Sequence, residues 1–254
     1  MFPAERRKYI LELIEKQNSI SVAELSHVLG VSDMTVRRDL RSLSRDGLLE
    51  RVHGGALSRR GCSYEPPYVS RATKHVREKE IIGRRAAALV CEGDTVALDV
   101  GTTTLELAKA LLHLTNLTVL TASLHIANVL REAPSLRLLL TGGILRKQEL
   151  SMVGHIAERT FDDFHVDKAF VGVGGLDIQA GLTEFNLEDM LVKKVMIAHA
   201  DQVIVVADSS KLGEVCFASI APLSVVDILV TDACADPKTL EQLAANGVEV
   251  IVAQ

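Results

Sequence analysis

Residues 21–44 constrain this chain more than any other stretch. Ser21 and Glu24 stand at the S-x-x-E spacing of a capping box, in which each side chain satisfies an otherwise orphan amide. Val22, Leu25, Val28 and Leu29 follow at helical spacing and are expected on an inner face. Gly30 then stops the helix, because glycine occupies the left-handed C-terminal position without strain. Ser32 caps a further helix expected to reach about Ser44. A preceding helix opens at Pro3, with Ile10, Leu13 and Ile14 at helical spacing. A short helix, a glycine turn and a second capped helix outline a helix-turn-helix.

The last of these helices carries the chemistry. At 100° per residue, Val36, Leu40 and Leu43 share one side and face the core. Arg38, Arg41 and Arg45 project from the other, with Met34 among them and Arg37 on the flank. Arginine suits both phosphate oxygens and the guanine edge in the major groove. Ser32, Thr35 and Ser42 lie within reach of phosphates or bases. On an isolated helix such arginines serve equally as a solvated face; the capped helix and glycine turn upstream favour DNA. Asp39 would repel DNA and is expected to pair with an arginine of the first helix. Residues 48–53 alternate as a strand, and Gly54-Gly55 suits a hairpin turn. Arg51, His53 and Gly54 would then form a wing at the sugar-phosphate backbone, although His53 is equally at home as a plain turn residue.

Charge is divided to match. Residues 1–60 hold 11 Lys and Arg against 8 Asp and Glu, and the remainder 17 against 25. A basic head on an acidic body presents only its head to phosphate. Residues 58–75 contain Pro66-Pro67, Arg59 and Arg60, and are expected to be a linker between domains at 1–57 and 76–254. Cys62, Cys91, Cys216 and Cys234 lack metal-ligand spacing and read as reduced thiols. A charged start and the lack of a long apolar run predict no leader, no membrane span and a cytoplasmic protein. No cofactor or metal is expected.

From about Val76, aliphatic strands alternate with helices. Strands are expected at 95–100, 117–121, 136–140, 168–173, 202–207, 226–230 and 249–252, with helices at 81–90 and 105–114. The pattern predicts an α/β domain with a mostly parallel sheet covered on both faces. Ligands bind such sheets beyond the carboxyl ends of the strands. There the chain carries Asp99-Val100-Gly101-Thr102-Thr103-Thr104 before a helix start. A glycine, hydroxyls and a helix N-terminus are what a phosphate requires, although threonines there also serve as simple caps. Thr121 and Ser123, Gly142 and Gly143, Gly174, and Lys211 mark other strand ends. No Walker A or dinucleotide fingerprint is present.

The run Ser32-Asp33-Met34-Thr35-Val36-Arg37-Arg38-Asp39-Leu40, with Arg6-Arg7 before it and Gly54-Gly55-Ala56 after, resembles the signature of the DeoR family of bacterial repressors. That resemblance implies a winged helix-turn-helix and an effector domain similar in fold to ribose-5-phosphate isomerase. It implies repression of a sugar-catabolic operon, release by a phosphorylated sugar, operator DNA as partner, and a homodimer or homotetramer. By the same similarity Asp99, Gly101, Thr102, Thr103 and Thr104 would hold the effector, with Thr121, Ser123, Lys193 and Lys211 as further candidates. The acidic catalytic run of the isomerases is replaced by Gly172-Val173-Gly174-Gly175, which speaks against turnover. An isomerase-like enzyme, and an activator with a non-sugar effector, remain the alternatives.

Overall fold

The computed structural model describes residues 2–17, 19–46, 48–52, 54–57 and 61–254, which divide into two units, Met1–Pro67 and Tyr68–Gln254. The first contains α1 (Pro3–Gln17), β1 (Ser19–Ser21), α2 (Val22–Leu29), α3 (Asp33–Arg45), β2 (Glu50–Val52) and β3 (Gly55–Leu57). Local chemistry fixes the joints. Ser21 and Glu24 form the complete capping box of α2, and Gly30 closes that helix at φ 62°. Ser32 caps α3 through the Thr35 amide. Ile10, Ile14, Ile20, Leu25, Val36, Leu40, Leu43 and Leu49 make the core. Val28 departs from expectation: it is 51 % exposed, because a two-turn helix packs only one narrow stripe.

Asp39 lies on the core side of α3 at 1 % exposure, where Arg6 Nε donates to it at 2.6 Å and Arg7 Nε at 3.1 Å. The expected pairing with the first helix is present, and it pins α1 across α3. The wing differs from expectation in its turn. Gly55 is the first residue of β3, paired with both Ser21 of β1 and Val52 of β2. A side chain there would strike the Ile20 carbonyl, so glycine is required by close backbone approach. Gly54 takes φ 88° at the tip. His53, Arg59 and Arg60 lie outside the described residues.

The second unit contains α4 (Tyr68–Ala72), α5 (Val76–Ala87), β4 (Thr95–Leu98), α6 (Thr102–Ala110), β5 (Leu117–Thr121), α7 (Leu124–Leu130), β6 (Leu136–Leu140), β7 (Ile144–Arg146), β8 (Ser151–Val153), α8 (His155–Asp162), β9 (Val166–Val171), β10 (Gly175–Asp177), β11 (Gly181–Glu184), α9 (Leu187–Ala198), β12 (Ala200–Val206), β13 (Ala218–Ala221), β14 (Ile228–Asp232), α10 (Pro237–Ala245) and β15 (Glu249–Ala253). The stretch expected to be linker therefore includes helix α4, which belongs to this unit. Seven strands form a parallel sheet in the order β15-β14-β12-β9-β4-β5-β6. Strict alternation sorts two cores. Val96, Leu98, Phe170, Ile204 and Val206 face one layer with Ile82, Leu107 and Ile126. Ala97, Ala169, Val171, Val203 and Val205 face the other with Phe161, Met190 and Met196. A smaller antiparallel sheet, β10-β11-β13, and the β7–β8 hairpin stand apart from the main sheet.

The chain runs outward from β4 to β5 and β6, then returns to β9 on the other side of β4. The strand order thus reverses between β4 and β9. In open parallel sheets this reversal opens a crevice at the carboxyl ends, where neighbouring connections leave in opposite directions. Among the described residues, no helix is long and apolar enough to cross a membrane.

Replacing Asp39 with Ala should destabilise the first unit by about 3–5 kcal/mol, because buried Arg6 loses its carboxylate. Calorimetry should show the first unit melting earlier; an unchanged profile removes the ion pair from the account.

Candidate functional site

At the reversal between β4 and β9, one lysine gathers three chain segments. Lys193 of α9, 2 % exposed, donates to the Gly172 carbonyl at 2.8 Å, to Glu184 Oε2 at 3.0 Å and to Asp99 Oδ2. Asp99 also accepts the Gly172 amide at 2.9 Å. Glu184 accepts the Phe185 amide at 2.8 Å. Burial opposes a charged Lys193, but the two carboxylates outweigh it and hold its pKa above the ordinary lysine value. Burial likewise opposes Glu184, yet Lys193 and the Phe185 amide, with a smaller contribution from Arg71, hold its pKa below the usual carboxylate range.

Lys193 is bound by its own protein partners and positions the strand ends. The two carboxylates come from separate segments: Asp99 follows β4 and Glu184 ends β11. Glu184 was missed because it ends a four-residue strand, Gly181–Glu184, whose place between β10 and β13 is set only by tertiary pairing.

The turn that opens α6 is next to this cluster. Gly101 caps α6 at φ 147° and ψ 169°, a conformation reserved for glycine. It puts Thr102, Thr103 and Thr104 into the first turn of α6, earlier than the expected helix start at 105. Thr104 returns its hydroxyl to the Gly101 carbonyl at 3.1 Å. Thr102 and Thr103 are 8 % and 9 % exposed, and among the described residues their hydroxyls bond no protein group. Free amides, two available hydroxyls and the positive end of the helix converge there.

Gly174 faces the same place: a Cβ on it would lie 2.9 Å from Cys216 Sγ and 3.1 Å from both Glu184 Oε1 and the Phe185 ring. Burial, with Glu184 beside it, pushes the Cys216 thiol up to about 11. Lys211 follows β12 and holds its ammonium 5.7 Å over the Phe185 ring. It is half-buried and, among the described residues, in no ion pair. Asp99, Gly101, Thr102, Thr103, Thr104, Gly174, Lys193 and Lys211 are therefore brought together.

The remaining candidates are engaged by neighbouring backbone or packing. Thr121 donates to the Leu98 carbonyl at 2.7 Å and receives the Ser123 amide at 3.1 Å, while Ser123 caps α7. Their hydroxyls join β5 to β4 and start a helix. Gly142 and Gly143 follow β6, two strands or roughly 10 Å from β4. A Cβ on Gly143 would meet the Val153 carbonyl at 2.6 Å, and one on Gly142 the Ile156 side chain at 2.9 Å, so both serve packing.

In the first unit, Met34 is 79 % exposed, and Arg37, Arg38, Arg41, Arg45 and Arg51 are all exposed. Only Arg45 has an ion-pair partner among the described residues, Asp46 at 3.9 Å. Ser32 and Thr35 share a 3.1 Å hydroxyl contact at the start of α3.

A helix-turn-helix with an exposed arginine face, joined to an α/β unit with a glycine-threonine turn at its strand ends, defines a DNA-binding transcription regulator with a sensor domain. Residues 6–60 match the DeoR-like helix-turn-helix domain and residues 74–233 the DeoR C-terminal sensor domain. The chain belongs to the DeoR family. It is 39 % identical over 250 residues to the uncharacterized HTH-type transcriptional regulator YulB of Bacillus subtilis, covering 98 % of this chain and 96 % of that one. It is 36 % identical to the HTH-type transcriptional repressor GlcR of Bacillus subtilis, covering 100 % and 98 %. The glycerol-3-phosphate regulon repressor of Escherichia coli is 32 % identical, covering 98 % and 99 %. Among solved structures, ribose 5-phosphate isomerase A from Methanocaldococcus jannaschii aligns over 53 % of each chain at 19 % identity and TM-score 0.40. That likeness carries no argument about activity.

In Lys193→Met, two buried carboxylates face each other without their cation, which raises their folded pKa values. A raised carboxyl pKa contributes stability below the unfolded value and loses it as pH rises through the folded one. The variant's melting deficit should therefore shrink between pH 7 and pH 5; a deficit independent of pH contradicts an ionised cluster.

Proposed function

We propose that this protein is a repressor, acting in the cytoplasm, that leaves its operator when a phosphorylated sugar occupies the crevice between β4 and β9. The observation that carries the reading is the Gly101–Thr104 turn. It offers helix amides and two uncommitted hydroxyls to an anion, beside a buried ion cluster that fixes its floor. Lys211 supplies a cation, and Gly174 lets Cys216, Glu184 and Phe185 close up as the wall of the crevice. Relatives named as repressors, one of a glycerol-3-phosphate regulon, support the class of ligand.

On this reading Arg38 and Arg41, with Met34, Thr35 and Arg37, enter the major groove. Ser32, Arg45, Arg51, His53 and Gly54 meet the backbone or the minor groove. One recognition helix and one wing read few base pairs, so a homodimer or homotetramer would engage paired half-sites. The protein is a sensor and not an enzyme. Lys193 holds Glu184 ionised and hydrogen-bonded, with its pKa below the usual carboxylate range, and a carboxylate so stabilised is a poor general base.

Two measurements test the reading together. Arg38→Ala and Arg41→Ala should each weaken binding to a duplex selected from a random pool by about 1–3 kcal/mol if they read bases. They should leave the melting temperature unchanged. Thermal unfolding against phosphorylated sugars and their parent sugars should show a shift with a phosphorylated ligand alone, about 2.7 kcal/mol at a hundredfold excess over Kd. Wild-type DNA affinity in both variants removes the recognition face, and equal shifts by parent sugars remove the phosphate site.

A further inference from the structure

The crevice has a roof that the strand ends do not supply. Helix α4 is the first element of the second unit and packs on α6, whose N-terminus forms the cradle. Several of its attachments are to residues near this face. Tyr68 stacks on His125 in the first turn of α7, with ring centroids 4.1 Å apart. Arg71 pairs with Glu149, from the turn between β7 and β8. Lys79 of α5, 5 % exposed, donates to the carbonyls of Arg71 at 2.5 Å and Lys74 at 2.8 Å. Burial lowers the Lys79 pKa to about 8, against the pull of Asp208 beyond β12. Arg71 is also close enough to act on Glu184. The helix is thus tied to the start of α7, to the turn between β7 and β8 and to α5.

Two groups on this roof suit a ligand. The Tyr68 hydroxyl is buried and, among the described residues, has no hydrogen-bond partner. Buried hydroxyls are nearly always paired, so an unpaired one beside a cradle calls for a partner of its own. The second group is Arg71. Lys193 is taken up by Asp99, Glu184 and the Gly172 carbonyl, so the floor of the crevice has no cation to spare for a phosphate. Lys211 alone is a point charge, whereas a guanidinium holds phosphate through two parallel bonds.

We propose that α4 is part of the effector site, with Arg71 binding the ligand's phosphate in exchange for Glu149 and Tyr68 bonding a ligand hydroxyl. This rests on the reading of the crevice given above and adds the element that reports occupancy. A ligand held by α4 orders the helix into which the chain passes from the DNA-binding unit. Differential contacts of that kind are what coupling between two sites requires.

The test uses the full chain with glucose 6-phosphate, fructose 1-phosphate, fructose 6-phosphate, ribose 5-phosphate and glycerol 3-phosphate, followed by melting, calorimetric titration and amide hydrogen exchange. With whichever compound shifts the wild-type melting temperature, Arg71→Gln should weaken binding at least tenfold and Arg71→Lys less. Tyr68→Phe keeps the stack on His125 and should weaken binding severalfold with an unchanged ligand-free melting temperature. Exchange across residues 68–75 should slow at least tenfold on binding. A ligand that shifts melting but binds Arg71→Gln and Tyr68→Phe as it binds wild type overturns the proposal alone, as does unchanged exchange in residues 68–75. If none of the five shifts the melting temperature, the crevice reading and the proposal fall together.

Discussion

The buried cluster of Lys193, Asp99 and Glu184 is the interaction on which the sensor unit depends. Three charges out of water are costly, and they repay that cost only when their geometry is saturated. Here the Gly172 amide and carbonyl and the Phe185 amide complete it. The result locks the end of β4, the turn after β9 and the end of β11 to one side chain of α9. The cradle at Gly101 is two residues from Asp99, so its shape is inherited from this lock. The first unit uses the same device on a smaller scale, where Asp39 joins two helices through Arg6 and Arg7.

The cluster also decides which groups remain for a ligand. Its own cation is taken up, so neutralisation of an anion passes to the helix terminus, to Lys211 and to the roof above. The bulk of the site is neutral backbone and hydroxyl. Such a site discriminates by shape and hydrogen bonding more than by charge, a property suited to telling one phosphorylated sugar from another.

Sequence reasoning reached the elements whose chemistry is local. The capping box at Ser21 and Glu24, the stop at Gly30 and the aliphatic strands of the seven-stranded sheet are set by neighbours within a few residues or by strong periodicity, and the pairing of Asp39 with Arg6, 33 residues away, follows from the cost of a bare carboxylate on a basic helix. It failed where long-range pairing decides. Glu184 stands in a four-residue strand with no visible period. Gly55 has the look of a turn residue and is a strand residue pressed against β1. Thr121 and Ser123 have the right groups in the right place, but neighbouring backbone uses them. Lys193 looked like a cation for phosphate because nothing in its own helix reveals Asp99, which is 94 residues away in the chain. Helix α4 follows two prolines, and composition there suggests a linker; packing on α6 makes it a helix.

The central claim is that an anionic ligand sits on the first turn of α6. Amide chemical-shift mapping by NMR of the full chain, titrated with a phosphorylated sugar that binds, addresses it directly. The account predicts that the amides of Gly101, Thr102, Thr103 and Thr104 move furthest and saturate together, while the unphosphorylated sugar leaves them in place. Largest shifts far from this turn, for example along α10 and β15, would contradict it.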